Sequence, residues 1–300
     1  MAAVPTSLPS EAPRDGTRSL VLRFMRREPL GMAALAFILA VLIAGIFAEY
    51  VAPYDPVAMD FGAMFSPPSL EHPLGTDNFG RDILTRIVYG ARTALVIGLA
   101  SSFIGSTLGA LLGVFSAYFG GWVDLLIQRI VDILLSLPIV VLALVVVAML
   151  GRSTQEGIDL NLILAIAIPI VPNVARVVRS SALSIREMAY IDAARVAGYG
   201  RSRIMLRHMA PNLVGPYLIM LTAFIAQAIL LEATLSFLGL GVNEPVPAWG
   251  LMLAGNAVDF YRQAPWMIVF PGLAISLSVL AFNLFGDALR DWLDPKSRPV

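Results

Sequence analysis

Residues Tyr190–Pro211 read YIDAARVAGYGRSRIMLRHMAP. This is the long polar interruption in the second half of a chain that is 58% hydrophobic and only 14% charged, where soluble domains carry about 25% charged residues. Arg195, Arg201, Arg203 and Arg207 all fall inside it. Such a segment has no place in hydrocarbon, where every polar group must be satisfied internally. It is therefore read as facing water, and the apolar runs on either side as membrane spans.

Working outward, six charge-free runs appear: Pro29–Ala48, Thr93–Val123, Ile133–Gly151, Leu160–Ala175, Met209–Leu231 and Gln263–Gly286. Five approach or exceed the roughly 20 residues needed to cross a hydrocarbon core. Leu160–Ala175 is short, but arginines at its end can snorkel to the interface. The mean hydropathy of +0.78 agrees. The expected fold is all-α: a polytopic membrane protein with six transmembrane helices. The first 28 residues lack the apolar core of a cleavable signal, so the first span is read as an uncleaved anchor.

Basic residues set the expected orientation. With six spans, all but Arg81, Arg86, Arg92, Arg152 and Arg262 of the 21 lysines and arginines fall on one side. Both termini and the basic loop are thus expected in the cytoplasm. The layout is a tail over 1–28, a membrane domain over 29–290 and a tail over 291–300. Within the domain lie an outer loop at 51–92, a cytoplasmic loop at 184–211 and an outer loop at 239–266. Cysteine is absent, so no disulfide or thiol chemistry is open to the chain.

Apolar residues recur at helical spacing from Ile83 to Ala91, with Asp82 four before Arg86. This predicts an amphipathic helix at the outer interface, carrying an Asp82–Arg86 pair. Ser101, Gly105, Gly109, Gly113 and Ala117 stand four apart. Small residues at that spacing let helix backbones touch in lipid, either inside one subunit or at a subunit or pore interface. Asp124, Arg129 and Asp132 are read as pairing near the cytoplasmic interface. Pro169 and Pro172 predict a kink in the fourth span. Glu232 ends the fifth span; an acid there belongs either to a substrate path or to a satisfied structural site. The uncharged stretch Pro245–Val258 has the composition to dip into the membrane.

In the basic loop, Ser184 and Glu187 have capping-box spacing, which predicts a helix start. Gly198 would end that helix in the left-handed conformation. A second short helix would run over about Ser202–Met209, and Pro211 would mark the turn into the fifth span. Tyr190, Ala193 and Ala197 share a stripe, with Ala194 beside it. A face without bulk suits docking into a partner's groove, with the arginines as a charged rim. The plainer alternative is a solvated loop that obeys the positive-inside rule.

The order of Asp192, Ala193, Ala194, Gly198, His208 and Pro211 resembles the EAA loop of bacterial ABC importer permeases, with aspartate for the usual glutamate. The stretches HPLGTDNFGRDILTRIVYGAR (His72–Arg92), TLSFLGLG (Thr234–Gly241) and Ala264–Pro295 resemble the dipeptide/oligopeptide/nickel group. One span followed by APYDP (Ala52–Pro56) is similar to its C-type subunit. The resemblance implies a type I, MetI-like permease in the bacterial inner membrane. It also implies a second permease, two ATP-binding subunits that use ATP and Mg, and an extracytoplasmic substrate-binding protein docking on the outer loops. The six loop residues named above would couple ATPase motion to the spans, with Glu232 a candidate on the path.

The chain is not expected to be an enzyme or to bind a cofactor, metal or nucleic acid. Its single lysine, Lys296, follows proline, so there is no phosphate-binding G-x4-G-K-[ST] loop. His72 and His208 are expected on opposite sides of the membrane, and His208 is read as packing the loop. Peptides are the expected cargo, with nickel, glutathione or an oligosaccharide as same-group alternatives. An ion-coupled secondary transporter using Glu232, or a non-transporting scaffold, is the reading from another class.

Overall fold

The computed structural model describes residues 28–151 and 159–293. Most of the two expected tails, the stretch Leu20–Phe24 and Arg152 lie outside the described residues. The helices are α1 (Pro29–Ile46), α2 (Ala48–Val51), α3 (Ile83–Phe119), α4 (Gly121–Leu135), α5 (Ile139–Leu150), α6 (Leu160–Arg186), α7 (Ala189–Val196), the helical run α8 (Arg201–Phe237), α9 (Trp249–Met252), α10 (Asn256–Asp259) and α11 (Trp266–Leu293). Among the described residues there is no strand, only an isolated bridge between Thr76 and Asp82. The chain is all-α, as expected.

α1, α3, α6, α8 and α11 are each long and apolar enough to cross a membrane. The sixth span forms only as a broken pair: α4 and α5 meet at 97°. A straight third span over Ile133–Gly151 does not exist, because Pro138 has no N–H to continue the ladder and pushes Leu137 out of helical geometry. Ser136 Oγ bonds back to the Ile133 carbonyl at 2.7 Å and closes the first half.

α6 lies against α3, and its contact with α3 is built from the small-residue stripe. A Cβ placed on Gly105, Gly109 or Gly113 would come within 2.6 Å of the carbonyl oxygens of Ala167, Val171 and Ala175 in turn. Ser101 Oγ adds a bond to the Ile163 carbonyl at 3.1 Å. In lipid, where apolar contact between helices gains little over contact with acyl chains, such backbone proximity is what holds helices together. The stripe thus serves packing inside one subunit. The core around this seam includes Ile97, Ile166, Ile170, Val174 and Val178. A second core joins α1, α3, α8 and α11 through Ala34, Ile38, Leu95, Ile229 and Phe282.

Three further expectations are corrected. The segment Ile83–Ala91 is no separate interfacial helix; it is the first part of the 37-residue α3. Its apolar face is buried by neighbouring protein, with Ile83 1%, Val88 8% and Ala91 3% exposed. Asp82 does not pair with Arg86, because its carboxylate caps the Thr85 N–H at 2.8 Å and faces His72 at 3.1 Å. Asp124 and Asp132 leave Arg129 and pair with α6: Arg179 grips Asp124 through Nε at 2.6 Å and Nη2 at 2.5 Å, and Arg176 meets Asp132. The two prolines of the fourth span, Pro169 and Pro172, both sit inside α6.

Candidate functional site

The basic loop lies at the Phe119 end of α3. α6 continues to Arg186, so no helix starts at the Ser184–Glu187 capping box; Glu187 instead ends α6. The N-cap of α7 is Met188, which offers no side-chain cap bond. Gly198 closes the turn after α7 at φ 78°, in the left-handed region that costs an L-residue roughly 1–2 kcal/mol. Tyr199 N–H reaches the Ala194 carbonyl at 3.1 Å to complete the cap.

Beyond Gly200 the chain does not form the expected short helix and turn. α8 begins at Arg201, passes through a π segment (Ile204–Met209) and a 3-10 turn (Ala210–Leu213), and continues to Phe237. Pro211 sits inside this run. The shift in hydrogen-bond register accommodates a residue that has no N–H to donate. The loop and the fifth span are therefore one element.

α7 has two faces. Ile191 (0% exposed) and Ala194 (5%) turn inward and join the α3–α6 core with Ile204 and Met209. Ala194 is thus an anchor rather than part of the outward stripe, because it stands three residues after Ile191 on the same side of the helix. Asp192, Ala193, Val196 and Ala197 are exposed, and Val196 reaches 88%. A large exposed β-branched side chain between alanines marks the outward face. Sequence reading passed over Val196, although its offset from Asp192 and Ala193 was the available signal.

The charged rim is partly engaged. Arg195 pairs with Asp192 at 2.8 Å, Arg203 lies over Tyr199 at 4.2 Å, and Arg201 over Phe119 at 5.5 Å. His208 packs against Tyr199 at 5.6 Å and bonds the Arg203 carbonyl through Nδ1 at 3.2 Å. Asn212, also missed in the sequence, donates to the His208 carbonyl at 2.8 Å and to Tyr190 Oη at 3.1 Å. It ties α7 to α8 across the turn.

Glu232 is fully buried in α8. Ser236 Oγ donates to its Oε1 at 2.7 Å and accepts from Val242 N–H at 3.1 Å, while Oε2 has no partner in the structure. The carboxylate anchors the turn at the end of α8. It stands apart from Asp192 and its neighbours.

The segments 51–92 and 239–266, expected as outer loops, meet at the Ile83 end of α3. Trp266 Nε1 bonds the Thr76 carbonyl at 3.0 Å, Trp249 Nε1 the Ile87 carbonyl at 2.9 Å, and Thr93 Oγ1 the Pro247 carbonyl at 2.9 Å. Within Pro245–Val258, Trp249 and Gly250 are buried against protein, with Gly250 directly over the Ala233 backbone. Among the described residues no group of three or more acidic, histidine or cysteine side chains forms a metal site.

An all-helical chain with a rigid polar elbow at one end and two interlocked loops at the other has relatives. Residues 105–299 match the family described as binding-protein-dependent transport system inner membrane component. Residues 18–68 match the N-terminal transmembrane domain of oligopeptide transport permease C. The chain belongs to the binding-protein-dependent transport permeases. This permease is 42% identical to the dipeptide transport system permease protein DppC of Alkalihalophilus pseudofirmus, over 91% of this chain and 88% of that one. It is 43% identical to the glutathione transport system permease protein GsiD of Escherichia coli O6:K15:H31, over 91% and 89%. Its fold is similar to a chain of the inward-facing MetNI methionine ABC transporter, with a TM-score of 0.51 at 18% identity, covering 69% of this chain and 97% of that one. It is a multi-pass membrane permease subunit of the ABC importer class, in which ATP hydrolysis lies in separate subunits.

Proposed function

We propose that the permease carries di- or oligopeptides inward across the bacterial inner membrane, with both termini and the elbow at 184–211 in the cytoplasm. Two ATPase subunits bind beneath the permease pair, one of them holding this elbow in a groove, a second permease completes the pathway, and a substrate-binding protein delivers cargo at 51–92 and 239–266. The supporting observation is the two-faced α7. Ile191 and Ala194 fix it to the α3–α6 core while Asp192, in its pair with Arg195, and Ala193 and Val196 face outward for a groove. A partner moving that face moves α6 and α8 with it, which suits alternating access by rocking of rigid units.

Purification of the tagged permease from mild detergent, with mass spectrometry and an ATPase assay, tests this reading. Co-purification of a second permease and an ATPase is the expected result. A lone chain in several detergents overturns it. Uptake of labelled dipeptide, competed by unlabelled peptide or by glutathione, separates the two cargo chemistries carried by the relatives.

A further inference from the structure

A cavity of about 260 Å³ opens at the Ile83 end of α3. One wall is polar: Arg81 and Arg86, which are 6% and 1% exposed, with Asp77 and Glu244. The other wall is apolar, with Ile83, Leu251, Met252, Ala257 and Met267. Asp77 is fully committed, since its carboxylate accepts from Phe79 N–H, Arg81 N–H and Arg81 Nε. Glu244 enters from the rim, and its side chain is half exposed. It meets Arg81 Nη1 at 2.9 Å and Arg86 Nη2 at 3.4 Å. Arg86 Nη1 turns away to the Pro56 carbonyl at 3.1 Å.

The charge arrangement is lopsided. Arg81 has Asp77 as a buried partner. Arg86, almost wholly out of water, meets a carboxylate among the described residues only through one long contact to a residue that solvent also reaches. A buried guanidinium is costly unless well paired, and its planar fork favours a carboxylate that can take two bonds. We infer that this cavity is a binding site for a carboxylate joined to an apolar group, in the position that Glu244 now fills as a tethered stand-in. The guanidinium wall takes the charge, and the Met252–Met267 wall takes the hydrocarbon. Two sources carry this chemistry: the C-terminus of a peptide cargo, and an acidic side chain on the docking binding protein. The source rests on the permease reading proposed above; the site does not.

The probes are N-acetylleucine and its uncharged amide, titrated by calorimetry onto the detergent-purified transporter complex. Wild type should bind the acid weakly. Glu244→Gln, which removes the competing charge, should bind it at least tenfold more tightly and prefer acid to amide. Met252→Trp, which fills the apolar wall and leaves all four charges in place, should abolish acid binding. Equal binding of acid and amide in Glu244→Gln, or no acid binding in either protein, overturns the site even where transport is intact. Addition of N-acetylleucine then assigns the source. Weakened binding-protein docking points to the protein's side chain, and inhibited uptake with unchanged docking points to cargo. The absence of both effects overturns both sources, while the carboxylate site itself stands or falls on the calorimetry.

Discussion

Gly109 of α3 lies so close to Val171 of α6 that a Cβ on the glycine would sit 2.6 Å from the Val171 carbonyl oxygen. Backbone faces backbone here, and no side chain can swing aside. Gly109→Val should therefore destabilise the permease by about 1–3 kcal/mol, the usual cost of forcing bulk into a packed seam. Gly215 and Gly272, where an added Cβ meets nothing within 4 Å, serve as controls. Alanine at either should leave thermal stability in detergent unchanged or raised. An equal loss at all three positions would refute the seam as the decisive contact.

Val196 and Ile191 sit on one short helix with opposite fates. Val196→Asp places a charge where the side chain is already in water, so folding should change by no more than about 0.5 kcal/mol. Co-purification of ATPase should nevertheless drop sharply. Ile191→Asp buries the charge in the core and should lower the yield of folded protein. ATPase retention by Val196→Asp would remove the outward face of α7 from the coupling role.

Gly198 has open space around it and a left-handed backbone. Substitutions there are limited by conformation rather than by clash. Gly198→Asn should retain most uptake, because asparagine tolerates this region, whereas Gly198→Val should lose it. Equal activity of the two variants would show that the turn geometry is not needed.

The elbow shows what sequence can and cannot reveal. Gly198 as a helix terminator and His208 as a packing residue were legible, because each follows from local chemistry. The inward turn of Ala194 was not, because an alanine reads the same on either face until Ile191 and Met209 fix the helix against the core. The α4–α5 break had a local cause in Pro138, but the hydrophobic run hides it, since span length is counted without regard to direction. The Arg81–Glu244 contact joins residues 163 apart, and no periodicity predicts it. The small-residue stripe was legible as a packing surface, while its partner, α6, was not.

Glu232 separates two mechanisms. Its Oε1 accepts from Ser236, which in turn holds Val242 N–H. Glutamine can keep that bond with a carbonyl oxygen. Glu232→Gln should sustain ATP-driven uptake near the wild-type rate, while Glu232→Ala frees the turn at Val242 and lowers it. Loss of uptake in Glu232→Gln, with normal assembly and ATPase activity, would instead make the ionisable proton part of transport.

At about 1.5 Å per residue, the 37 residues of α3 extend about 55 Å, well beyond a hydrocarbon core of about 30 Å. One end carries the Asp82 cap beside the guanidinium cavity. The other offers the Ala117 carbonyl to Arg186 at 2.8 Å, beside the elbow. A single stiff lever thus touches both faces of the membrane. Tilting it by about 5° shifts one tip against the other by about 5 Å, the size of one helical turn. Events at the two faces are then mechanically one event, and a device that loosened α3 midway would silence transport while leaving each face intact.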